Sequence, residues 1–540
     1  MLHLILLYHK QEHVFFVAHT CTYTSTDHEY NARESALEII DGRKRARRPV
    51  VASSKTDSPS LSPSAGSGSG TPGLRGTPSL VGMAEWLLQI GHSAADVNAL
   101  NIIHIAGTKG KGSTCAFTES FLRAHGQRTG YPAKTGLYTS PHLIHPEERI
   151  RLDGTPIDRS RFVQYFFEIY DRLPQLHSPY NPSKEPVQRG PRNLQLYALL
   201  AFHAFIRERV DVAIFETHSG GEYDATNVVQ KPLVTVITTL GMDHVATLGP
   251  RMENIAWHKA GIFKSGAVAL STVQDDDGEG TVERVLRERA GAKGEVVRCV
   301  AEDERLPAEA RQLEPRVLRK NASLALAAAE AWLDARSVRG ELSAEGIRNG
   351  VEQWSWPGRF QVVHDARDSG CMWYLDAAHN DMSVAIAAQW FAAETAATSN
   401  ASACSPSSSS SSPPGSGGEG AKILIFSHIN ELRDSAALLR GLAKALRDCG
   451  AGMGHVIFTS YATRASDKGE ATGRSVEGEE LLHETWRRCQ PGTQVWDEPS
   501  IEDAIERARK IAKESADCTG HVLITGSQHL VGPALGILQP

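Results

Sequence analysis

The run Gly107, Thr108, Lys109, Gly110, Lys111, Gly112, Ser113 follows directly on the apolar segment 101–106 (NIIHIA) and leads into a segment of helical character at 114–125. A glycine-rich turn from strand to helix is a strong constraint on fold. It aims consecutive backbone N–H groups at one point, where the positive end of the helix dipole adds to them, and this suits a parallel α/β sheet with an anion at its edge. Lys111 is placed to neutralise outer phosphates and Ser113 to offer a hydroxyl to Mg²⁺. The run departs from the strict G-x-x-x-x-G-K-[ST] string because Gly112 separates the lysine from the serine.

The rest of the chain repeats the theme of apolar strand, glycine-containing turn and amphipathic helix. Segments 101–106, 210–215 (VDVAIF) and 233–238 (LVTVIT) are apolar without strict alternation, as expected of strands covered on both faces. A second series follows at 372–375, 422–426, 456–459 and 522–525, with a helix at 435–448 carrying Leu438, Leu439, Leu442 and Leu446 and ending before Gly450. Two α/β units in series are expected, split near Trp356, Pro357 and Gly358. The composition of 53–77 and 398–420, dense in Ser, Pro and Gly, is that of linkers unable to bury enough apolar surface to offset ordering entropy. The basic cluster 43–48 (RKRARR) is read as a solvated charge run rather than an import or anion-binding patch.

The net charge of -6 over 540 residues leaves no footprint of a nucleic-acid binder. Eight scattered cysteines without a Cys-x-x-Cys pair suggest thiols of a reducing compartment rather than a zinc site or disulfide framework. No stretch reaches the roughly 18 apolar residues of a membrane helix. The expectation is a soluble intracellular protein without a membrane or nucleic-acid partner.

Three further residues stand out. Glu216 ends the strand 210–215, where ligands collect in open α/β sheets, and a carboxylate there can hold a phosphate-bound Mg²⁺. His244 follows the next strand in Gly241, Met242, Asp243, His244; taken alone it is as readily structural as a ligand. Lys259 falls on one helical face with Met252, Ile255 and Ala256. The pattern leaves open whether its stem packs and its amine snorkels, or whether burial lowers its pKa toward the reactive neutral amine.

These pieces resemble the folylpolyglutamate synthase branch of the Mur ligase superfamily. The strings NIIHIAGTKGKGST (101–114), KTGLYTSPHL (134–143), ERIRLDGTPI (148–157), ETHSGGEYDATNVV (216–229), LGMDH (240–244), IAWHKAGIFK (255–264), WPGRFQ (356–361), LDAAHN (375–380) and VLITGSQHLVG (522–532) occur in the family's order. The segment 83–90 with Gly91, His92 and Ser93 resembles the piece that precedes the phosphate loop. The resemblance implies a two-domain Mur-ligase-like α/β architecture: an extension at 1–79 whose residues 30–42 pack on the core, a P-loop ATPase parallel-sheet domain at 80–357, and a smaller Rossmann-like domain at 358–540 interrupted near 398–420.

It also implies roles. Gly107, Thr108, Lys109, Gly110, Lys111, Gly112 and Ser113 would bind ATP phosphates. Ser113, Ser140, Glu216, His244 and Lys259 would serve Mg²⁺, Lys259 as a carbamate. Asn321, Arg359 and Asp376 would hold the nucleotide, while Lys111, Lys259 and His379 would act in catalysis. The implied reaction adds L-glutamate to a reduced folate polyglutamate through an acyl phosphate, with K⁺ as a monovalent cofactor, in a monomeric cytoplasmic enzyme; whether there is a mitochondrial pool is left open by the sequence. A paralogue acting on another carboxylate, such as a dihydrofolate synthase, and a degenerate nucleotide- or folate-binding protein are the alternatives.

Three places depart from the family pattern. Thr217, His218 and Ser219 stand where a Val-Gly-Ile-type run is usual, leaving His218 as a further ligand, a packed residue or a substrate contact. Glu147 replaces an Arg. Residues 426–431 (FSHINE) replace a small Ala-Thr-Gly-type turn, in the domain the family uses for the incoming amino acid. Glu352, Trp354 and Trp356 are read as hinge packing, and Ser527 with His529 as a turn rather than a nucleophile and base. Deletion of 399–420 is expected to leave folding and catalysis intact, as checked by thermal melting and turnover of the shortened chain.

Overall fold

The structure is a computed structural model. It describes residues 25–44, 78–174, 183–275, 280–338, 342–365, 370–403, 420–428, 434–460, 476–515 and 518–539. The linker 53–77, the basic residues 45–48, the serine run and 429–433 lie outside them.

Two sheets organise the chain. The first contains β1 (Ile103–Ala106), β2 (Thr135–Tyr138), β3 (Ile150–Leu152), β4 (Thr155–Pro156), β5 (Val212–Glu216), β6 (Val234–Ile237), β7 (Val268–Thr272) and β8 (Val297–Val300), in the order β4-β3-β2-β5-β1-β6-β7-β8. All pairings from β2 to β8 are parallel; only the β3 and β4 hairpin runs antiparallel. The second contains β9 (Gln361–His364), β10 (Cys371–Leu375), β11 (Ala421–Phe426), β12 (His455–Thr459), β13 (Gln494–Glu498) and β14 (Gly520–Thr525), in the order β13-β12-β11-β14-β10-β9, antiparallel only at β9. The strands expected from the sequence are all present.

Helices cover both faces of the first sheet, and the alternation of a strand decides which side chain meets which. On β5, Val212 and Ile214 join a core with Phe117, Phe121 and Trp332 from helices Lys111–Thr129 and Arg316–Ala335. Ala213 and Phe215 face the other way, onto Phe162, Phe202 and Phe205 of helices Arg159–Tyr170 and Asn193–Glu208. Both faces being dry explains why the strand reads as an unbroken apolar run. In the second domain Leu438, Leu439, Leu442 and Leu446 of helix Ser435–Asp448 are buried, and Asp434 caps its start.

Three expectations change. The helix Asp381–Ala403 continues past 398, so a deletion that spares it runs from 404 to 419. Arg43, the first residue of the basic cluster, is only 5% exposed and donates to the Pro191 carbonyl at 3.0 Å. It therefore closes the end of helix Ser25–Gly42, whose Ala36 and Ile40 pack in the first domain's core. The strands β2 and β7 mix polar and apolar residues, and β8 and β13 lie at sheet edges, so their patterns were too weak to be read from sequence. Among the described residues no helix is long and apolar enough to cross a membrane, and the six described cysteines are free thiols.

Buried imidazoles give this fold an acid limit. Burial holds His104 at about 3 and, with His203 beside it, His92 at about 4. Each binds a proton less readily folded than unfolded, so its share of stability is complete above the ordinary value of 6.5 and is lost as pH falls toward 4. Thermal melting should show Tm dropping by about 5 °C or more between pH 7 and 5. His92→Gln should flatten that slope, and an unchanged slope would discount His92.

Candidate active site

The loop after β1 is held rigid from behind. Thr108 and Lys109 donate their backbone N–H groups to the Thr239 carbonyl at 3.0 and 3.1 Å, and Thr238 Oγ1 donates to the Lys109 carbonyl at 2.6 Å. Gly107 has φ +155°, and a Cβ there would fall 1.8 Å from Thr238 Oγ1. Gly110 has φ +82°, and its Cβ would fall 2.3 Å from Asn321 Oδ1. The first bond of helix Lys111–Thr129 runs from Thr114 N–H to the Gly110 carbonyl, so the N–H groups of Lys111, Gly112 and Ser113 have no partner within the helix. That is an anion cradle with the helix dipole behind it.

Lys259 sits behind this cradle. It ends helix Met252–Lys259, with Ile255 and Ala256 packed beside it, and its Nζ donates to the Gly107 carbonyl at 2.7 Å. Only 1% exposed, it does not snorkel to water. Burial, and then the charge of Lys111, push its amine down to about 7.

Glu216 ends β5 and faces the loop. Thr139 and the Ser140 N–H donate to its Oε2, and Lys111 Nζ lies 3.8 Å from its Oε1. Ser113 and Ser140 line the same cleft, which measures about 1380 Å³, as does His244 at its exposed rim. Lys259 is not part of that lining. No group of three or more His, Cys, Asp or Glu side chains is arranged as a metal site among the described residues. The donor set is instead one carboxylate with neighbouring hydroxyls beside an anion cradle, which fits Mg²⁺, an ion that keeps few protein ligands and shares the rest with phosphate and water.

The opposite wall comes from the second domain. Asp376, at the end of β10, is buried; its carboxyl is pushed up to about 6 by burial despite nearby Arg359, and it accepts from Phe360 N–H at 3.1 Å. Arg359 Nη2 reaches Gln528, whose amide donates to the Pro141 and His142 carbonyls of the first domain at 3.4 and 3.2 Å. His379 lies 2.9 Å from the Ala377 carbonyl through Nδ1 and 3.4 Å from Lys109 Nζ through Nε2. A carbonyl only accepts and an ammonium only donates, so the proton belongs on Nδ1 and the lone pair on Nε2.

The departures from the family pattern receive physical answers. His218 is packed into the cleft wall: it lines the cleft, its Nε2 lies 2.7 Å from Tyr138 Oη and its Nδ1 3.4 Å from Asp224. Asp224 also accepts from the His218 and Ser219 N–H groups and so fixes the loop after Glu216. Glu147 is met by Arg33 of the first helix. His428, from the altered segment, lines the cleft with its Nδ1 2.8 Å from Ser435 Oγ. Ser527 is the cap of helix Gln528–Leu538, accepting from His529 N–H, and is not a nucleophile paired with that histidine.

Sequence reasoning missed several residues here. Trp354 is packing, stacked on Phe117, but Trp356 lines the cleft; Arg151 lies 5.4 Å over its ring. Thr139 and Gln528 were hidden because an uncharged side chain shows its role only once its partners are placed. Asp243, 3.8 Å from Lys109 Nζ, lay in a noted string without a role of its own.

No family model matches the chain. A Neurospora crassa folylpolyglutamate synthase is 34% identical over 554 residues, covering 98% of this chain and 94% of the relative. A probable folylpolyglutamate synthase of Schizosaccharomyces pombe is 33% identical over 480 residues, covering 85% and 88%. Among solved structures, Mycobacterium tuberculosis folylpolyglutamate synthase complexed with ADP and AMPPCP matches with TM-score 0.66 and 25% identity over 86% of this chain and 96% of that one. Escherichia coli FolC in complex with DHPP and ADP matches with TM-score 0.57 and 26% identity over 86% and 99%.

The loop geometry predicts the effect of one added methyl group. Gly110→Ala forces a left-handed alanine against Asn321, and a strain of about 1.4 kcal/mol or more corresponds to at least a tenfold loss of nucleotide affinity. Calorimetric titration of the variant with ATP checks this; an unchanged Kd would contradict the cradle.

Proposed function

The chain belongs to the folylpolyglutamate synthase family, and on that premise we propose that it is an ATP-dependent ligase that adds L-glutamate to a reduced folate, usually one already carrying glutamate. The observation that carries the reading is a single cleft in which the anion cradle, Lys111 and Glu216 of the first domain face Asp376, Arg359 and His379 of the second. Substrates are the small molecules ATP, glutamate and folate.

The division of labour follows the two sheets, with 80–357 holding the triphosphate and 358–540 supplying the opposite wall. The N–H groups of Lys111, Gly112 and Ser113 bind phosphate oxygens, and Lys111 moves from Glu216 onto the outer phosphates. A substrate carboxylate oxygen attacks the γ-phosphorus, the bond to the β,γ-bridging oxygen breaks, and ADP leaves with that oxygen. The glutamate α-amine then attacks the acyl carbon of the resulting acyl phosphate and expels phosphate. His379 Nε2 holds the lone pair that takes the amine's proton. Asn321, Arg359 and Asp376 hold the nucleotide, and apposition of the two domains excludes water that would hydrolyse the intermediate.

Glu216, Ser113, Ser140 and His244 would hold Mg²⁺, which when bound offsets the negative charge gathered on the phosphates. The Lys259 amine, near 7, is uncharged in about half of the molecules at neutral pH. Its nitrogen attacks CO₂ and releases a proton, giving a carbamate that carries negative charge behind the loop. K⁺ would serve as the monovalent cofactor, as the family resemblance implies. A cleft complete within one chain supports a monomer, and free thiols support a reducing compartment, the cytoplasm.

Two experiments test this. The protein incubated with ATP, Mg²⁺, K⁺, glutamate and tetrahydrofolate should yield a mass ladder of added glutamyl units with stoichiometric phosphate. Phosphate release only with another acceptor would remove folate, and tight ATP binding without turnover would remove the ligase. Lys259→Ala should lose activity by about a hundredfold or more, on the scale of a misplaced catalytic group, and short carboxylic acids should restore part of it. Full activity in that variant would take Lys259 out of the mechanism.

A further inference from the structure

Helix Ser25–Gly42 lies outside the sheet that builds the site, yet one of its side chains reaches the site's frame. Arg33 donates from Nε to Glu147 Oε1 at 2.5 Å and from Nη2 to Glu147 Oε2 at 3.1 Å, a two-pronged pair. The two side chains are only 12% and 4% exposed. The helix itself is anchored, since Ala36 and Ile40 are buried among side chains of helices Arg159–Tyr170 and Asn193–Glu208.

What Arg33 grips is the base of a turn. The neighbouring Glu148 carboxylate accepts the N–H groups of Leu143, Ile144 and His145 at 2.7, 3.1 and 2.8 Å. Arg149 donates to Ser140 Oγ and His142 Nδ1, both at 2.9 Å, while its guanidinium lies 4.5 Å over the Tyr197 ring. Ser140, Pro141, His142, Leu143 and Ile144 all line the cleft. The same turn receives Gln528 of the second domain, and a Cβ on Gly532 would fall 1.9 Å from the Leu143 carbonyl. A shift of residues 146–149 would therefore move one cleft wall and the seam between the domains together. The phosphate loop is held by Thr238, Thr239 and Lys259, and it meets this turn through Glu216, which Thr139 and Ser140 hold beside Lys111.

We propose that Arg33 is a positioning residue: through Glu147 it sets the 139–149 turn, and thereby one wall of the cleft and its meeting with the second domain. The kinetic part rests on the ligase reading; the placement of the turn does not, so the test has one readout for each. Arg33→Met keeps the apolar stem and removes the charge, Glu147→Gln removes the other partner, and the pair of substitutions completes a double-mutant cycle.

Hydrogen exchange is followed in the absence of substrates at the amides of Leu143, Ile144 and His145. Each single variant should exchange there about tenfold faster, the double variant no faster than either single, and helix Asn193–Glu208 should stay protected. In steady-state assays kcat/KM should fall about tenfold, with Arg33→Lys recovering part of the loss. Unchanged exchange at 143–145, additive single effects, or no recovery by Arg33→Lys would each overturn the proposal. Absence of wild-type turnover would refute the ligase reading while leaving the exchange result to decide the role of Arg33.

Discussion

A buried amine bonded to the Gly107 carbonyl is the contact on which the site's geometry depends. Removing the Lys259 amine from water is costly, and the pKa near 7 records that cost. It is tolerated because the amine has a backbone oxygen 2.7 Å away and lies in a pocket walled by its own helix. With Lys259 below, Thr238 and Thr239 at one side and Asn321 at the other, the loop has room for glycine alone at 107 and 110. The backbone of the anion cradle is thus set before a ligand arrives, which lowers the ordering cost of binding.

From that fixed point the charges of the cleft follow. Lys111 rises from the loop toward Glu216, which is held in turn by Thr139 and Ser140 from the end of β2. A phosphate entering the cradle competes for the lysine and leaves the carboxylate to a metal ion. The second domain completes the set with one buried carboxyl near pH 6, Asp376, and one imidazole of defined tautomer, His379. Gln528 ties the two halves at the Pro141 and His142 carbonyls, so the seam between domains is also the lip of the cleft.

Much of this was readable from the chain. The central strands declared themselves through apolar runs because both sheet faces are covered, and the loop through glycine positions that its packing makes obligatory. Lys259 was visible as a charge on an apolar helical face, although periodicity did not say whether its amine was buried. Edge strands such as β8 and β13 were not readable, since a half-exposed strand mixes polar and apolar residues. Arg43 misled for the opposite reason: a run of like charges suggests solvent, and only the fold shows that its first member is buried against Pro191. Trp356, Thr139 and Gln528 owe their places to residues distant in sequence, which composition and spacing do not encode.

The central claim is that the acceptor carboxylate is phosphorylated before the amide forms. It is tested most directly by labelling the oxygens of that carboxylate with a heavy isotope and following the label by mass spectrometry through one turnover. An acyl phosphate requires one labelled oxygen to appear in the released phosphate. Phosphate free of label, with amide still formed, would contradict the account.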